Sequence, residues 1–133
     1  MDRDVHSGRL KLNGEEHEKT LLAANNYANS LLVLHRFDEA KALLRKTIPV
    51  ARRVLGDSHD YTLKMRKNYV EAFYWDPGAT IGDLREAMTT LEDTERTARR
   101  VLGGAHPTTA GIERNLQRAR AALRARETPP TSA

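Results

Sequence analysis

Apolar residues recur every three or four positions along most of the chain, the spacing that places side chains on one face of an α-helix. The pattern predicts five helices, at about 18–34, 37–55, 61–75, 80–102 and 107–126. Strict alternation of apolar and polar residues, which indicates strands, is never sustained. We therefore predict an all-α fold.

The predicted helices pair through short connections. Only His35 and Arg36 separate the first two patterns, so these helices should form a tight antiparallel hairpin. Thr80 and Asp83 have the spacing of a capping box before the fourth helix. The predicted inward-facing residues include Tyr27, Ala28, Leu31, Leu34, Ala40, Leu44, Leu84, Leu91, Val101, Ile112 and Leu116.

One sequence stretch occurs twice in the chain. ARRVLGDSHDYT, starting at Ala51, returns as ARRVLGGAHPTT, starting at Ala98, and a weaker copy around His17 precedes both. His59 follows His17 by 42 positions and precedes His106 by 47, and the additional residues fall in the WDPGATIGD turn. A repeat with this period predicts stacked helical hairpins.

The composition excludes several classes of protein. With 39% hydrophobic and 30% charged residues, the chain should be globular. No apolar run approaches the roughly 18 residues that a membrane span needs, and the opening residues are too polar for a secretory signal. There is no cysteine, so disulfides and thiolate metal sites are excluded. We therefore expect no membrane association and a cytoplasmic location.

The motifs NNYA at 25–28, DEA at 38–40 and REA at 85–87 stand at matching places in the repeats. With His17 and Thr20 before the first predicted helix, they resemble a tetratricopeptide repeat of the kinesin-light-chain-like type over residues 13–126. The resemblance implies a helix-hairpin (TPR) solenoid with two full repeats and a C-terminal capping helix. Residues 1–12 are then a remnant of a preceding helix or a short extension, and 127–133 a disordered tail.

In that family the first helices of successive repeats line a concave groove for an extended peptide, and a recurring Asn contacts the peptide backbone. The resemblance places Asn26, Asn68 and Asn115 at the recurring position. The neighbouring groove positions hold Asn25, Asn29, Lys64, Lys67, Glu71, Tyr74, Arg114 and Arg118. Because the C-terminal half of this set is rich in cations, the implied ligand is an acidic peptide of a partner protein. The alternative interpretation is structural, since carboxamides also bridge helices and basic residues also form solvated surfaces.

No pattern indicates catalysis, a metal or a cofactor. His17, His59 and His106 occur once per repeat, so stacking separates them by roughly 10 Å, too far for one metal ion. We expect them to be structural residues at helix starts. Phosphate-binding loops and nucleophile motifs are not found in the sequence. The chain is therefore predicted not to be an enzyme.

Three functions are compatible with these features, and a peptide-binding adaptor is favoured. The second is nucleic-acid binding through Arg114, Arg118, Arg120 and Arg124 of the last helix, which has no aromatic residue for base stacking. We rank it below peptide binding. The third is a structural segment that forms homo-oligomers end to end through its N-terminal edge, near Leu10, Leu12 and Leu21.

Overall fold

A computed structural model describes the backbone of residues 2–128 and the side chains of residues 18–128. The described residues form five α-helices and no strand. The helices are α1 (Asp2–Val33), α2 (Phe37–Val54), α3 (Asp60–Tyr74), α4 (Ile81–Leu102) and α5 (Pro107–Glu127). The predicted all-α fold is confirmed. Residues 129–133, most of the predicted tail, lie outside the described part of the chain.

The first helix is longer than the sequence pattern predicts. α1 begins at Asp2 rather than near residue 18, so residues 2–12 are part of this helix and no turn separates them from it. Gly14 lowers helix propensity by about 1 kcal/mol relative to Ala but does not forbid a helix, and glutamates follow it. His17 consequently lies inside α1, not at a helix start as expected.

The helices stack as two antiparallel hairpins followed by a single helix. α1 packs on α2, α3 packs on α4, and α5 packs on both α3 and α4. α3 also contacts α1 and α2, so it is the helix that joins the first hairpin to the second. The buried cores between these layers contain Leu21, Ala28, Leu44, Ala51 and Met65 on one side of α3, and Leu63, Val70, Phe73, Leu91, Ala98, Ile112 and Leu116 on the other.

Some residues predicted to face the core are exposed. Tyr27 is 57% exposed, Leu34 63% and Val101 46%, so these predictions are wrong. Tyr27 lies on the side of α1 where no described helix packs, and Leu34 follows the last residue of α1. Leu21, expected on the outer edge, is instead buried beside Met65. The side chains of Leu10 and Leu12 lie outside the described residues.

Local signals at the helix ends agree with the sequence. His59 and His106 are N-caps, and the Nδ1 atom of each accepts a hydrogen bond of 3.1 Å from the backbone N–H two residues later. Thr80 and Asp83 form the predicted capping box. The structural role of the two histidines and the cap at Thr80 are confirmed.

Proline occurs in the interior of α2. Pro49 is exposed and α2 continues through it, although proline cannot donate the hydrogen bond that the helix needs there. We predict that Pro49→Ala raises the free energy of unfolding by about 1–3 kcal/mol, because it restores this bond and a good helix former. Urea denaturation followed by circular dichroism measures the change.

The matched control is Arg96→Ala at the equivalent position of α4, where no bond is restored. It should alter stability by less than about 0.5 kcal/mol. A Pro49→Ala variant no more stable than the parent protein would contradict the prediction.

Candidate functional site

A concave groove of about 370 Å³ lies where the first helices of the repeats, α1, α3 and α5, stand side by side. Seven of the eleven predicted groove residues line it, namely Asn25, Asn26, Asn29, Lys64, Lys67, Asn68 and Arg114. The remaining lining residues are Leu22, Pro107, Thr108 and Gly111. The other four predicted residues, Glu71, Tyr74, Asn115 and Arg118, are not part of this lining. The groove therefore brings together all the predicted residues of α1, three of those on α3 and one on α5.

Buried polar side chains connect the three first helices. The amide nitrogen of Asn68 donates to the side-chain oxygen of Asn25 at 2.7 Å, which links α3 to α1. Farther along α3, Asn115 donates to Glu71 at 2.5 Å and accepts from the Tyr74 hydroxyl at 2.8 Å, which links α5 to α3. We call these five residues the polar seam. Because buried polar groups are costly unless paired, the seam fixes how the first helices lie against one another.

The three carboxamides at the recurring position occupy different environments. Asn68 and Asn115 are each 3% exposed, and both bond to the preceding first helix. Asn26 is exposed because no described helix precedes α1. The carboxamides of Asn68 and Asn115 therefore form hydrogen bonds between helices, whereas the carboxamide of Asn26 faces solvent.

Every charged residue in the described lining of the groove is a cation. Lys67 lies 3.4 Å from the buried carboxylate of Glu71, and Lys64 lies 3.1 Å from the partly buried carboxylate of Asp60. Arg114 is exposed and has no ion-pair partner among the described side chains. Since the acids stand behind the lysines rather than in the lining, the groove presents a positive surface.

Asp60 links the first turns of α3 and α5 beside the groove. Its carboxylate accepts a hydrogen bond from the Thr108 hydroxyl and pairs with Lys64. Burial alone would raise the pKa of Asp60, but the hydrogen bonds from Thr108 and Lys64 and the lysine charge outweigh it and lower the pKa below its usual value. Asp60 is therefore ionised at neutral pH.

The pKa of Tyr74 is shifted in the opposite direction. Burial, and then the negative charge of Glu71, raise the pKa of Tyr74 well above its usual value. The phenol stays protonated and can donate its hydrogen bond to Asn115.

Sequence reasoning missed the contribution of the helix starts to the groove. Leu22 and Gly111 share the register of Lys64, at the repeat offsets of 42 and 47, so the repeat alignment contained the signal for them. Thr108 follows the N-cap of α5, and its contact with Asp60 depends on the packing of α5 against α3. No signal in the sequence identifies that contact.

Residues 20–61 match the family model described as "Tetratricopeptide repeat". This segment is therefore similar to a tetratricopeptide repeat. The match spans the C-terminal half of α1, all of α2 and the start of α3, and the second hairpin has the same arrangement of helices, as in a TPR helical repeat fold. No curated protein and no solved structure shows a significant match to the chain. No helix in the described part of this repeat protein is long and apolar enough to cross a membrane.

The seam can be tested through stability. We predict that Asn115→Ala lowers the free energy of unfolding by about 2–3 kcal/mol, because it leaves the buried Glu71 carboxylate and the Tyr74 hydroxyl without this partner. Asn68→Ala, which removes one neutral hydrogen bond, should cost about 1 kcal/mol. Chemical denaturation monitored by circular dichroism measures both.

The control is Asn26→Ala, the exposed carboxamide in the same register, with an expected change below about 0.5 kcal/mol. Equal effects of all three substitutions would show that the buried bonds do not hold the helices together.

The lowered pKa of Asp60 predicts a pH dependence. A carboxylate whose pKa is lower in the folded state stabilises the protein above the unfolded-state pKa, near 4, and this stabilisation is lost as the pH falls through the folded value. Asp60→Asn should therefore be less stable than the parent protein at pH 7, and the difference should narrow below about pH 4. Thermal unfolding of both proteins across this range measures the difference, and a gap that does not change with pH would refute the prediction.

Proposed function

We propose that the chain is a protein–protein interaction scaffold whose groove binds an extended acidic segment of a partner protein. A tetratricopeptide repeat is typical of such scaffolds, and the match at residues 20–61 supports this part of the proposal. The exclusively cationic charge of the groove lining carries the acidic preference.

Two kinds of side chain give the groove its recognition chemistry. Asn26 and Asn29 are exposed on α1, and each carboxamide offers both a donor and an acceptor to the backbone of a passing peptide. Arg114, across the groove on α5, presents a planar guanidinium suited to a carboxylate. In this proposal, Asn68 and Asn115 act mainly by holding the helices that form the groove, and Arg118 extends its positive charge.

We propose that binding is the whole activity of the groove. Its described lining contains no histidine, carboxylate or thiol that could act as a base or nucleophile beside a bound ligand. We also propose the kinesin-light-chain-like subtype, supported by NNYA and DEA at matching positions, and the cytoplasm as compartment, in keeping with a chain without cysteine.

A nucleic acid is the second candidate, and the contacts of α5 argue against it. Arg126 donates to the backbone carbonyls of Pro77 and Ala79, and Arg120 lies 3.6 Å from Glu92. Part of the arginine-rich surface is thus engaged by the protein itself.

The proposal is tested with fluorescent peptides whose acidic residues are replaced by their amides or by lysines in matched sequences. Anisotropy should show saturable binding of the acidic peptide alone, weakening with salt. We predict that Lys64→Gln/Arg114→Gln weakens binding about tenfold, since each lost charge contact contributes about 0.7 kcal/mol and the two together about 1.4 kcal/mol.

The matched control is Arg53→Gln/Arg100→Gln, which removes two exposed cations from the second helices and gives the same net charge. This variant should retain the parent affinity. Equal weakening by both variants would show that net charge rather than the groove attracts the peptide. Tighter binding of a single-stranded RNA of similar charge would favour the second candidate.

A further inference from the structure

α1 presents three different faces along its C-terminal half. One face is buried in the core and includes Leu21, Ala28 and Leu32. A second lines the groove and includes Leu22, Asn25, Asn26 and Asn29. The third face is exposed and consists of Ala23, Tyr27 and Ser30, and Leu34, the residue after the end of α1, continues this spacing of three and four residues. We call this third face the outer stripe.

The internal repeat shows what normally happens to such a stripe. The residues of α3 equivalent to Ala23 and Ser30 are Met65 and Ala72, and both are fully buried against the preceding hairpin. The equivalent of Tyr27, Tyr69, also packs there.

In α5 the corresponding residues, Ile112, Leu116 and Ala119, are at most 7% exposed. The first three positions of the stripe are thus covered in both later repeats and open in the first. The fourth, Leu34, corresponds to Asp76 in the turn after α3 and to the partly buried Leu123 of α5.

The outer stripe lies in an uncharged part of the sequence. From Thr20 to Leu34 there is no Lys, Arg, Asp or Glu, in a chain with 30% charged residues. Depletion of charge with an aromatic residue at the centre is the composition of a protein–protein interface core. Tyr27 and Leu34 are two large apolar side chains of this stripe that lie mostly in solvent.

No other part of the described chain can cover the stripe. Residues 2–17 continue the same helix, so they cannot fold back over one of its faces. Of the other described helices, only α2 and α3 contact α1, and they pack on its remaining sides.

The opposite end of the stack does not suit the stripe either. α5, the last helix of the described stack, exposes Arg118 and Arg124 to solvent. Packing these cations on an apolar stripe would remove their hydration without supplying partners, which is strongly unfavourable. A stripe packed on its own copy meets no charge, and a two-fold axis makes such a contact self-complementary.

We propose that the outer stripe pairs with the outer stripe of a second copy of this chain, in an isologous dimer centred near Tyr27 and Ser30. This interaction is separate from the peptide groove, which occupies another face of α1. It also differs from end-to-end oligomerisation, because a two-fold contact closes at two copies.

The test is sedimentation velocity of the full chain over a hundredfold concentration range, with the parent protein and two double variants. The parent should shift from monomer to dimer and form nothing larger. Tyr27→Arg/Leu34→Arg should stay monomeric. The control, Val54→Arg/Val101→Arg, places the same two charges at exposed apolar positions of α2 and α4 and should dimerise like the parent.

Circular dichroism and peptide binding keep the result independent of folding and of the proposed groove. Both double variants should retain parent helicity and parent affinity for the acidic peptide. Because the chain has no cysteine, Ser30→Cys provides a single thiol, and a short bis-maleimide should join two copies through it. A parent protein that is monomeric throughout, a dimer unaffected by Tyr27→Arg/Leu34→Arg, or a ladder of larger oligomers would each overturn the proposal.

Discussion

A helix enclosed on several sides must satisfy every polar group that it carries, and α3 is enclosed by all four other described helices. Its apolar residues fill the cores on both sides. Lys64 and Lys67 face the groove, whereas the buried Asn68 and Glu71 and the half-buried Tyr74 bond to α1 and α5. The placement of the other first helices depends on this arrangement, because a shift of either neighbour would leave a buried donor or acceptor without its partner.

The groove is a consequence of that constraint. Once α1 and α5 are fixed against α3, their outward side chains and those of α3 face the same space. The carboxylates of Asp60 and Glu71, which pair with Lys64 and Lys67, also accept hydrogen bonds from Thr108 and Asn115. The acids therefore serve the packing, and the cations face the groove. In each of these ion pairs, the carboxylate contributes to packing and the lysine lines the groove.

Much of this architecture could be predicted because it depends on local periodicity. The ends of α2 to α5 differ from the predicted ends by one residue at most, since the apolar spacing and the caps at His59, Thr80 and His106 are local signals. The start of α1 could not be predicted in the same way, because Gly14 weakens a helix without ending it. The repeat register also identified most of the groove lining.

Other features depend on neighbours that periodicity does not reveal. Tyr27 and Tyr69 are equivalent in sequence, yet only Tyr69 has a preceding hairpin to pack against. Similarly, a row of asparagines in one register cannot show which carboxamides bond to another helix. Asn25 and Asn68 lie about forty residues apart in the sequence, as do Glu71 and Asn115. Only the distances between their side-chain atoms in the structure identify these pairs.

The polar seam holds the first helices against one another, and in the proposed function the exposed carboxamides of α1 bind the peptide. The most direct measurement follows the side-chain amide signals of the asparagines in ¹H–¹⁵N spectra during titration with an acidic peptide. The account predicts that the signals of Asn26 and Asn29 shift progressively while that of Asn115 keeps its position. A large shift of the Asn115 signal with little change at Asn26 and Asn29 would contradict it.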